Sequence, residues 1–448
     1  MKVKSHFILA LLTLLCVVNY PAYAQADSPS QIEAMSRWMK LHAIPLRSVQ
    51  PSDGNFEDLR ALKVTLRDRR IVAMGEATHG SSEFFQMKHR MFEFLVREMG
   101  YTVFGIEAPF TPAERVNAYV QGGQGDARQL VKDLNGWVWD TREVLDLVEW
   151  MRAYNARQKP ERKIRFYGFD YWYTDATVSD IKAYFQKVDP AYLQEFDGKI
   201  AQLSAVLKVL RSETKLKDID LSANGVSDIG QRLRSNKAKY IGASAARDWL
   251  LTMRRIESLR QTFDQAVAAK RDHQLGDELR DRLMAENVRW VMNFEGEGRK
   301  MMLWAHNQHI TKNKYFDNAQ AMGSYLKKEY GNKYYAIGFF FFEGGLQSQQ
   351  MENGVPKLKE FVYEPAIQGS FDYELAQIPG AQFFIDLSGV NDEDVRQALL
   401  LPTRARNIGG VFWENRNVHY TPQVIGDSYD GLIFIRRISK ATPNEQPS

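Results

Sequence analysis

The sequence predicts an α/β fold in which helices cover a largely parallel sheet and an all-helical segment is inserted into the chain. Three observations lead to this prediction. Several short apolar runs have few polar residues at alternate positions, as in strands that are buried on both faces. The stretch from Ile71 to Ile106 has the strand, helix, strand order of a βαβ unit. The stretch from Tyr173 to Phe294 contains no convincing strand.

Eight apolar runs are the candidate strands of this sheet. In chain order they are Ile71–Met74, Thr102–Ile106, Ile164–Tyr167, Met301–Ala305, Tyr335–Phe341, Gln382–Leu387, Val411–Trp413 and Leu432–Ile435. Between the first two runs, apolar side chains recur at helical spacing at Phe84, Met91 and Leu95. Gly100 follows at a typical helix stop, so we predict a helix over Ser81–Met99.

The inserted segment is predicted from its own helical periodicity. Apolar residues step by three or four at Trp249, Met253 and Ile256, and again at Leu279 and Leu283. The predicted organisation is a signal peptide at 1–24, a first core segment at 25–172, a helical insertion at 173–296, a second core segment at 297–438 and a flexible polar tail at 439–448. The insertion either completes the core as a cap or forms one wall of a cleft, because insertions in α/β folds lie near ligand-binding loops.

The first 24 residues have the order of an export signal. Lys2 and Lys4 precede an apolar run over Phe7–Val18, and Ala22–Ala24 forms an A-x-A cleavage site. We therefore expect cleavage after Ala24 and a periplasmic or secreted protein. The only cysteine lies within this segment, so the mature chain has no thiol for catalysis or for a thiolate metal site.

Composition and charge exclude several classes of partner. The chain has 448 residues, of which 44% are hydrophobic, as in ordinary globular proteins. Its 59 Lys and Arg residues nearly balance 55 Asp and Glu residues, for a net charge of +4, so we expect no nucleic-acid partner. No apolar stretch beyond the signal reaches the length of about 18 residues that crosses a bilayer, so we expect no membrane contact after cleavage.

The commonest catalytic motifs are absent from the sequence. It contains no G-x-S-x-G nucleophile elbow, no P-loop, no G-x-G-x-x-G after a strand and no H-E-x-x-H. These absences argue against a serine hydrolase of the usual α/β type, a P-loop nucleotide hydrolase, a dinucleotide-dependent dehydrogenase and a zincin.

Histidines and carboxylates instead follow the first four predicted strands. Because the carboxyl ends of parallel strands meet at one edge of a sheet, we expect these side chains to converge there. The set consists of Glu76 and His79 after the first strand, Glu107 after the second, Asp170 after the third, and His306 and His309 after the fourth.

Such a cluster suits hydrolysis by an activated water molecule. Buried ionisable groups must be paired, metal-bound or shifted in pKa. A carboxylate that holds a histidine fixes its tautomer and raises its basicity, so the histidine can take a proton from water near neutral pH. With no cysteine and no elbow serine, water is the simplest nucleophile.

The residues around these strand ends resemble the erythromycin esterase family. The similarity extends from about residue 30 to 437, nearly the whole mature chain. The segments that carry it are Gly75–Gly80, Glu83–Phe85, Lys88–Arg90, Gly105–Ala108, Trp137–Trp139, Glu149–Arg152, Met284–Asn287 with Trp290, and Ala305–His309.

The resemblance implies a three-layer α/β fold with an inserted helical domain, and hydrolysis of an ester or lactone, including the macrolide lactone ring. It implies that His79 is the general base, that Glu76 and Glu107 orient and polarise it, and that His306 and His309 contact the substrate or the oxyanion. Lys88 occupies a position at which some members of the family have an arginine, and Asp170 is expected to face the same cleft. The export signal is not typical of the members that inactivate antibiotics.

Two other functions fit the same residue types. The His and Glu cluster could hold Zn²⁺ or Mn²⁺ in a metal-dependent hydrolase, although no cofactor is required by the main hypothesis. The chain could also bind haem or another ligand without turnover. The expected partner in the main hypothesis is a small-molecule ester or lactone.

Overall fold

A computed structural model describes residues 29–51, 54–134, 136–210, 212, 215, 225–314 and 319–444. The predicted signal peptide and its cleavage site lie outside the described residues, as do the last four residues of the predicted tail.

The described residues contain eleven strands, nine of which form one sheet. The strands are β1 (Ile44–Pro45), β2 (Ile71–Met74), β3 (Val103–Pro109), β4 (Arg165–Asp170), β5 (Met301–Trp304), β6 (Tyr334–Glu352), β7 (Val355–Tyr363), β8 (Gln382–Asp386), β9 (Pro402–Arg406), β10 (Tyr420–Val424) and β11 (Gly431–Ile438). The order in the main sheet is β1-β8-β11-β6-β2-β5-β3-β4, with β7 paired to β6. The central pairs, from β11 to β4, are all parallel.

Helices connect and cover these strands. They are α1 (Pro29–His42), α2 (Leu62–Leu66), α3 (Ser82–Met99), α4 (Phe110–Val120), α5 (Ala127–Lys132), α6 (Arg142–Asn155), α7 (Asp175–Val188), α8 (Leu193–Leu210), α9 (Gly225–Ser235), α10 (Lys237–Ala243), α11 (Ala246–Arg271), α12 (His273–Glu295), α13 (Asn307–Ile310), α14 (Met322–Tyr330), α15 (Phe371–Ala376), α16 (Glu393–Leu400) and α17 (Ile425–Ser428).

The sheet separates two hydrophobic cores, and the fold therefore has three layers. Successive residues of β2 point to opposite faces, so Val72 and Met74 enter one core while Ile71 and Ala73 enter the other. Helices α3 and α6 cover the first face, and α12, α14, α15 and α16 cover the second. This arrangement confirms the predicted α/β class with a largely parallel central sheet.

Between β4 and β5 the described residues form only helices, α7–α12. Their apolar side chains build a third core, which includes Phe185, Trp249 and Phe263. The exception is α12, whose Leu283 and Met284 pack into the second core beside the sheet. Within the described part of the chain, no helix is long and apolar enough to cross a bilayer.

Two predictions about local structure were wrong. Val411–Trp413 is not a strand, because only Val411 pairs with a neighbouring strand while Phe412 stacks on Phe361 with 3.7 Å between ring centroids. Residues Ser439–Asn444, which were assigned to a flexible tail, are held by hydrogen bonds. The backbone N–H of Ala441 donates to Gly80 O at 2.8 Å, and that of Asn444 donates to Asp140 O at 3.1 Å.

Candidate active site

The loop that follows β2 carries Glu76 and His79 and packs tightly against its neighbours. A side chain at Gly75 would meet Asn307 Oδ1 at 2.0 Å, and one at Gly80 would meet Gln347 O at 1.9 Å. Only glycine fits at these two positions, because the backbone approaches its neighbours so closely. The loop ends where Ser81 caps α3 by accepting a hydrogen bond from Phe84 N. The loop is therefore fixed at both ends.

Glu76 is fully buried, and its carboxylate has three hydrogen-bond donors around it. His79 Nδ1 lies 2.6 Å from Oε1. Trp304 Nε1 donates to Oε2 at 2.8 Å, and the Lys88 ammonium donates to the same oxygen. A buried carboxylate requires such partners, since an unpaired charge in the interior is strongly unfavourable.

Lys88 is the buried cation that pairs with Glu76. Its Nζ also lies 4.6 Å from the centroid of the Trp304 ring, within the range of a cation–π contact. Burial lowers the pKa of Lys88 to about 8, and the attraction of Glu76 opposes that fall. At neutral pH the pair is therefore an ammonium and a carboxylate held in close contact.

Glu107 lies in β3 at the point where the pairing with β4 is irregular, between Ile106 and Pro109. Its Oε2 accepts the backbone N–H of His306 at 3.0 Å. Its Oε1 lies 2.9 Å from Arg280 Nη2 and 3.2 Å from His309 Nε2. Burial would raise the pKa of Glu107, but His309 and Arg280 hold it well below its usual value. Glu107 is therefore an anion and not a proton donor.

His306 is buried and neutral. Its Nε2 lies 3.2 Å from Ile408 O, and its Nδ1 accepts a hydrogen bond from Gln308 N at 3.3 Å. The carbonyl fixes the proton on Nε2. Burial lowers the pKa of His306 well below its usual value. The ring centroids of His306 and His79 lie 5.0 Å apart, so the two imidazole rings pack side by side.

His309 lies between two carboxylates. Its Nδ1 is 2.9 Å from Asp281 Oδ1, and its Nε2 faces Glu107. Burial would lower the pKa of His309, but Asp281 and Glu107 raise it to about 10. His309 is therefore an imidazolium at neutral pH. Arg280 Nη1 also lies 3.1 Å from Nε2, but a protonated Nε2 donates to Glu107, so the arginine is a neighbouring charge and not its hydrogen-bond partner.

Arg280 joins the inserted helices to the strand ends. Its Nη2 donates to Asp170 Oδ2 at 2.7 Å and to Glu107 Oε1. Asp170 is fully buried at the end of β4, and its Oδ1 accepts the N–H of Tyr171 at 2.9 Å. Burial would lower the pKa of Arg280, but Asp170 and Glu107 raise it well above its usual value.

The structure thus brings together all seven of the predicted site residues: Glu76, His79, Lys88, Glu107, Asp170, His306 and His309. Sequence reasoning missed Arg280 and Asp281, which come from α12 rather than from a strand end. The one signal close to them was the segment Met284–Asn287, one turn further along the same helix.

Solvent reaches this cluster at a few side chains. The side chains of Glu76, Lys88 and Asp170 are 0% exposed, whereas His79 is 12%, Arg280 16% and His309 11% exposed. His79 and the two cations are therefore the most exposed side chains of the cluster, and the carboxylates are more deeply buried.

The donor atoms of the site determine whether it could hold a metal ion. Within the described residues, no group of three or more His, Cys, Asp or Glu side chains is arranged to hold one. The carboxylates of Glu76 and Glu107 already accept hydrogen bonds from Lys88, Arg280 and His309. A divalent ion bound here would have to displace these cations, so the residues do not fit a metal centre.

Comparisons with known proteins agree with this fold. The family model described as "Erythromycin esterase" matches residues 96–438. The Bacillus subtilis (strain 168) protein named "Putative hydrolase YbfO" is 23% identical over an alignment of 455 positions, which covers 96% of each chain. "Erythromycin esterase type II" from Escherichia coli is 23% identical over 327 residues, 68% of this chain and 77% of the relative.

A crystal structure of a Bacillus cereus protein superimposes with a TM-score of 0.80 at 25% identity, over 92% of this chain and 99% of that one. The family model and the two named relatives support hydrolase activity. Because the family model covers well over half of its length, the chain belongs to the erythromycin esterase family.

Proposed function

We propose that this protein hydrolyses a carboxylic ester or a lactone with a water molecule that His79 activates. The observation that carries the proposal is the 2.6 Å hydrogen bond between His79 Nδ1 and the buried Glu76 carboxylate. A carboxylate only accepts hydrogen bonds, so Nδ1 donates to Glu76, and in the neutral ring Nε2 is the nitrogen that has the lone pair. This is the tautomer that a general base requires.

The proposed reaction proceeds by addition and elimination. His79 Nε2 takes a proton from water as the oxygen attacks the carbonyl carbon, and a tetrahedral oxyanion forms. The imidazolium then gives this proton to the departing alkoxide, which leaves as an alcohol while the acid remains. Glu76 stabilises the transient positive charge on His79 from 2.6 Å. In this proposal the partly exposed Arg280 and His309 stabilise the oxyanion by their positive charge.

A macrolide lactone ring is the more specific substrate that we propose. The family and the Escherichia coli relative both carry the name of erythromycin esterase, which supports this choice. Hydrolysis of a lactone opens the ring without releasing a second molecule, so the product differs from the substrate by the mass of one water.

The test is a screen of the purified mature protein against macrolides and simple esters, followed by mass spectrometry and by titration of released acid. We expect His79→Ala to lower kcat by about a hundredfold to ten-thousandfold, the usual contribution of a positioned base. His273→Ala, at a histidine that is 54% exposed on α12, is the matched control and should retain activity.

Two further arms address the alternative functions. Turnover that chelators abolish and that added Zn²⁺ or Mn²⁺ restores would favour a metal-dependent hydrolase. A Soret band on titration with haem, together with no hydrolysis of any ester, would favour a binding protein. If His79→Ala hydrolyses the best substrate at the wild-type rate, the proposed base is wrong.

A further inference from the structure

Asp281 lies on α12, outside the set of strand-end residues, yet its carboxylate reaches the site. It is 1% exposed, and its Oδ1 and Oδ2 lie 2.9 and 3.1 Å from His309 Nδ1. The backbone N–H of Met322, at the start of α14, donates to Oδ1 at 2.7 Å. Two separate elements therefore fix the orientation of this carboxylate.

We infer that Asp281 is a positioning residue that keeps His309 doubly protonated and directs its Nε2–H toward Glu107. The expected effect on ester hydrolysis rests on the proposed function, whereas the protonation of His309 does not. Each ring nitrogen of His309 faces a carboxylate, which only accepts hydrogen bonds, so a doubly protonated ring donates to both carboxylates. Arg280 Nη1 also lies 3.1 Å from Nε2, and in this assignment the arginine is a neighbouring charge and not a donor to a neutral ring.

The charges around His309 come from several elements. Asp281 and Arg280 face it from α12, and Glu107 faces it from β3. Asp170 of β4 acts on it through Arg280, to which it is bonded. Arg280 opposes protonation of His309, while Glu107 and Asp281 favour it, and the net effect is the raised pKa described above.

Loss of Asp281 would leave the imidazolium with one carboxylate, which it shares with Arg280. The ring could then lose its proton from Nδ1 and rotate, and Glu107 would keep only one cation. The helix itself should remain in place, because Asn287, six residues further along α12, donates from Nδ2 to Phe169 O at 2.8 Å.

The experiment uses the full mature chain and the variants Asp281→Asn, Asp281→Glu and Asp277→Asn. Asp277 is the matched control, an acidic residue one turn earlier on α12 whose side chain is 38% exposed. Histidine side-chain NMR follows the protonation of His309, whose signals are assigned with His309→Gln. Ester hydrolysis is measured over the same pH range.

We expect His309 to remain protonated well above neutral pH in the wild type and in Asp277→Asn, and to lose its proton at lower pH in Asp281→Asn. The alkaline limb of kcat/KM should move to lower pH, with a fall of about tenfold to a hundredfold at alkaline pH, no more than the loss of a direct oxyanion donor. The rate should recover as pH falls toward neutrality, and Asp281→Glu should recover part of it at all pH values.

Two results would overturn the inference. One is a neutral His309 at neutral pH in the wild type, which decides the matter even if Asp281→Asn does not fold. The other is an unchanged titration of His309 in Asp281→Asn, or a loss of rate equal at every pH, as a general distortion would cause. If the wild type cleaves no ester, the proposed function fails, while the NMR result still tests Asp281.

Discussion

Replacing Glu76 by glutamine is the sharpest test of the buried charge pair behind His79. Glutamine keeps the size of the side chain but removes the charge that Lys88 and His79 contact. Removing one partner of a buried ion pair costs about 3–5 kcal/mol of folding stability. We expect a value near the lower limit, because the pKa of Lys88 is already lowered to about 8 and the lysine can lose its proton when Glu76 is neutral.

The assay combines urea unfolding at neutral pH with ester hydrolysis. The matched control is Glu98→Gln, which breaks the exposed pair with Lys63, whose side chains are 41% and 39% exposed, and should cost no more than about 1 kcal/mol. The double variant Glu76→Gln with Lys88→Met should regain much of the lost stability, because it removes both buried charges.

Activity should not return in the double variant, since His79 still lacks the carboxylate that fixes its tautomer. An unfolding midpoint of Glu76→Gln equal to that of the wild type would refute the argument that this pair is a buried ion pair. So would a double variant whose loss of stability is the sum of the two single losses.

Three further outcomes are expected. Burial would lower the pKa of His309, but the neighbouring carboxylates outweigh it and raise the pKa from 6.5 to about 10. The stability that the protonated His309 contributes is therefore complete below pH 6.5 and is lost as the pH rises through 10. The free energies of urea unfolding of the wild type and His309→Gln should differ most near pH 6 and converge at alkaline pH. A chain that ends after Ile438 should melt at lower temperature and hydrolyse esters more slowly, because it lacks the hydrogen bond from Ala441 N–H to Gly80 O, beside the proposed base. A chain that ends after Asn444 keeps this bond and should match the wild type in melting temperature and rate. We propose export, so N-terminal sequencing of protein from the cell envelope or medium should show cleavage after Ala24, and an intact leader on soluble cytoplasmic protein would contradict this.

The strand ends could be predicted from the sequence because each buried strand is indicated by its own run of apolar residues. A run such as Met301–Trp304 is apolar at every position, as is typical of a strand that is buried on both faces. Once such strands are parallel, their carboxyl ends must share an edge, and the residues that follow them are brought together whatever their separation in the chain. This reasoning is sufficient for Glu76, His79, Asp170, His306 and their neighbours.

Strands with polar or exposed faces escaped the same reasoning. Strand β7 lies at the edge of the sheet and is mostly exposed. Its sequence, VPKLKEFVY, contains no continuous apolar run by which it could have been predicted. Strands β9 and β10 form a separate two-stranded sheet, and both contain proline and polar residues. Their pairing depends on tertiary neighbours, which periodicity does not report.

The contribution of α12 could not be predicted for a different reason. A helical pattern indicates which residues share a face, but not the sheet edge against which that face docks. Leu283 and Met284 would be assigned to a core in any packing, whereas the contacts of Arg280 and Asp281 exist only because α12 crosses the end of β4. The polar residues beside an apolar stripe thus acquire their roles from tertiary structure alone.

The charges of the assembled site favour water over hydroxide as the nucleophile. Glu76 and Lys88 cancel each other, and on the other side Glu107, Asp170 and Asp281 outnumber Arg280 and His309 by one negative charge. A free hydroxide ion would meet this excess negative charge in a buried, weakly screened setting. A neutral water that transfers its proton to His79 leaves the net charge unchanged, and the positive charge then created on the imidazole lies next to Glu76. The arrangement therefore favours generating the nucleophile in place, which is the role that a general base performs.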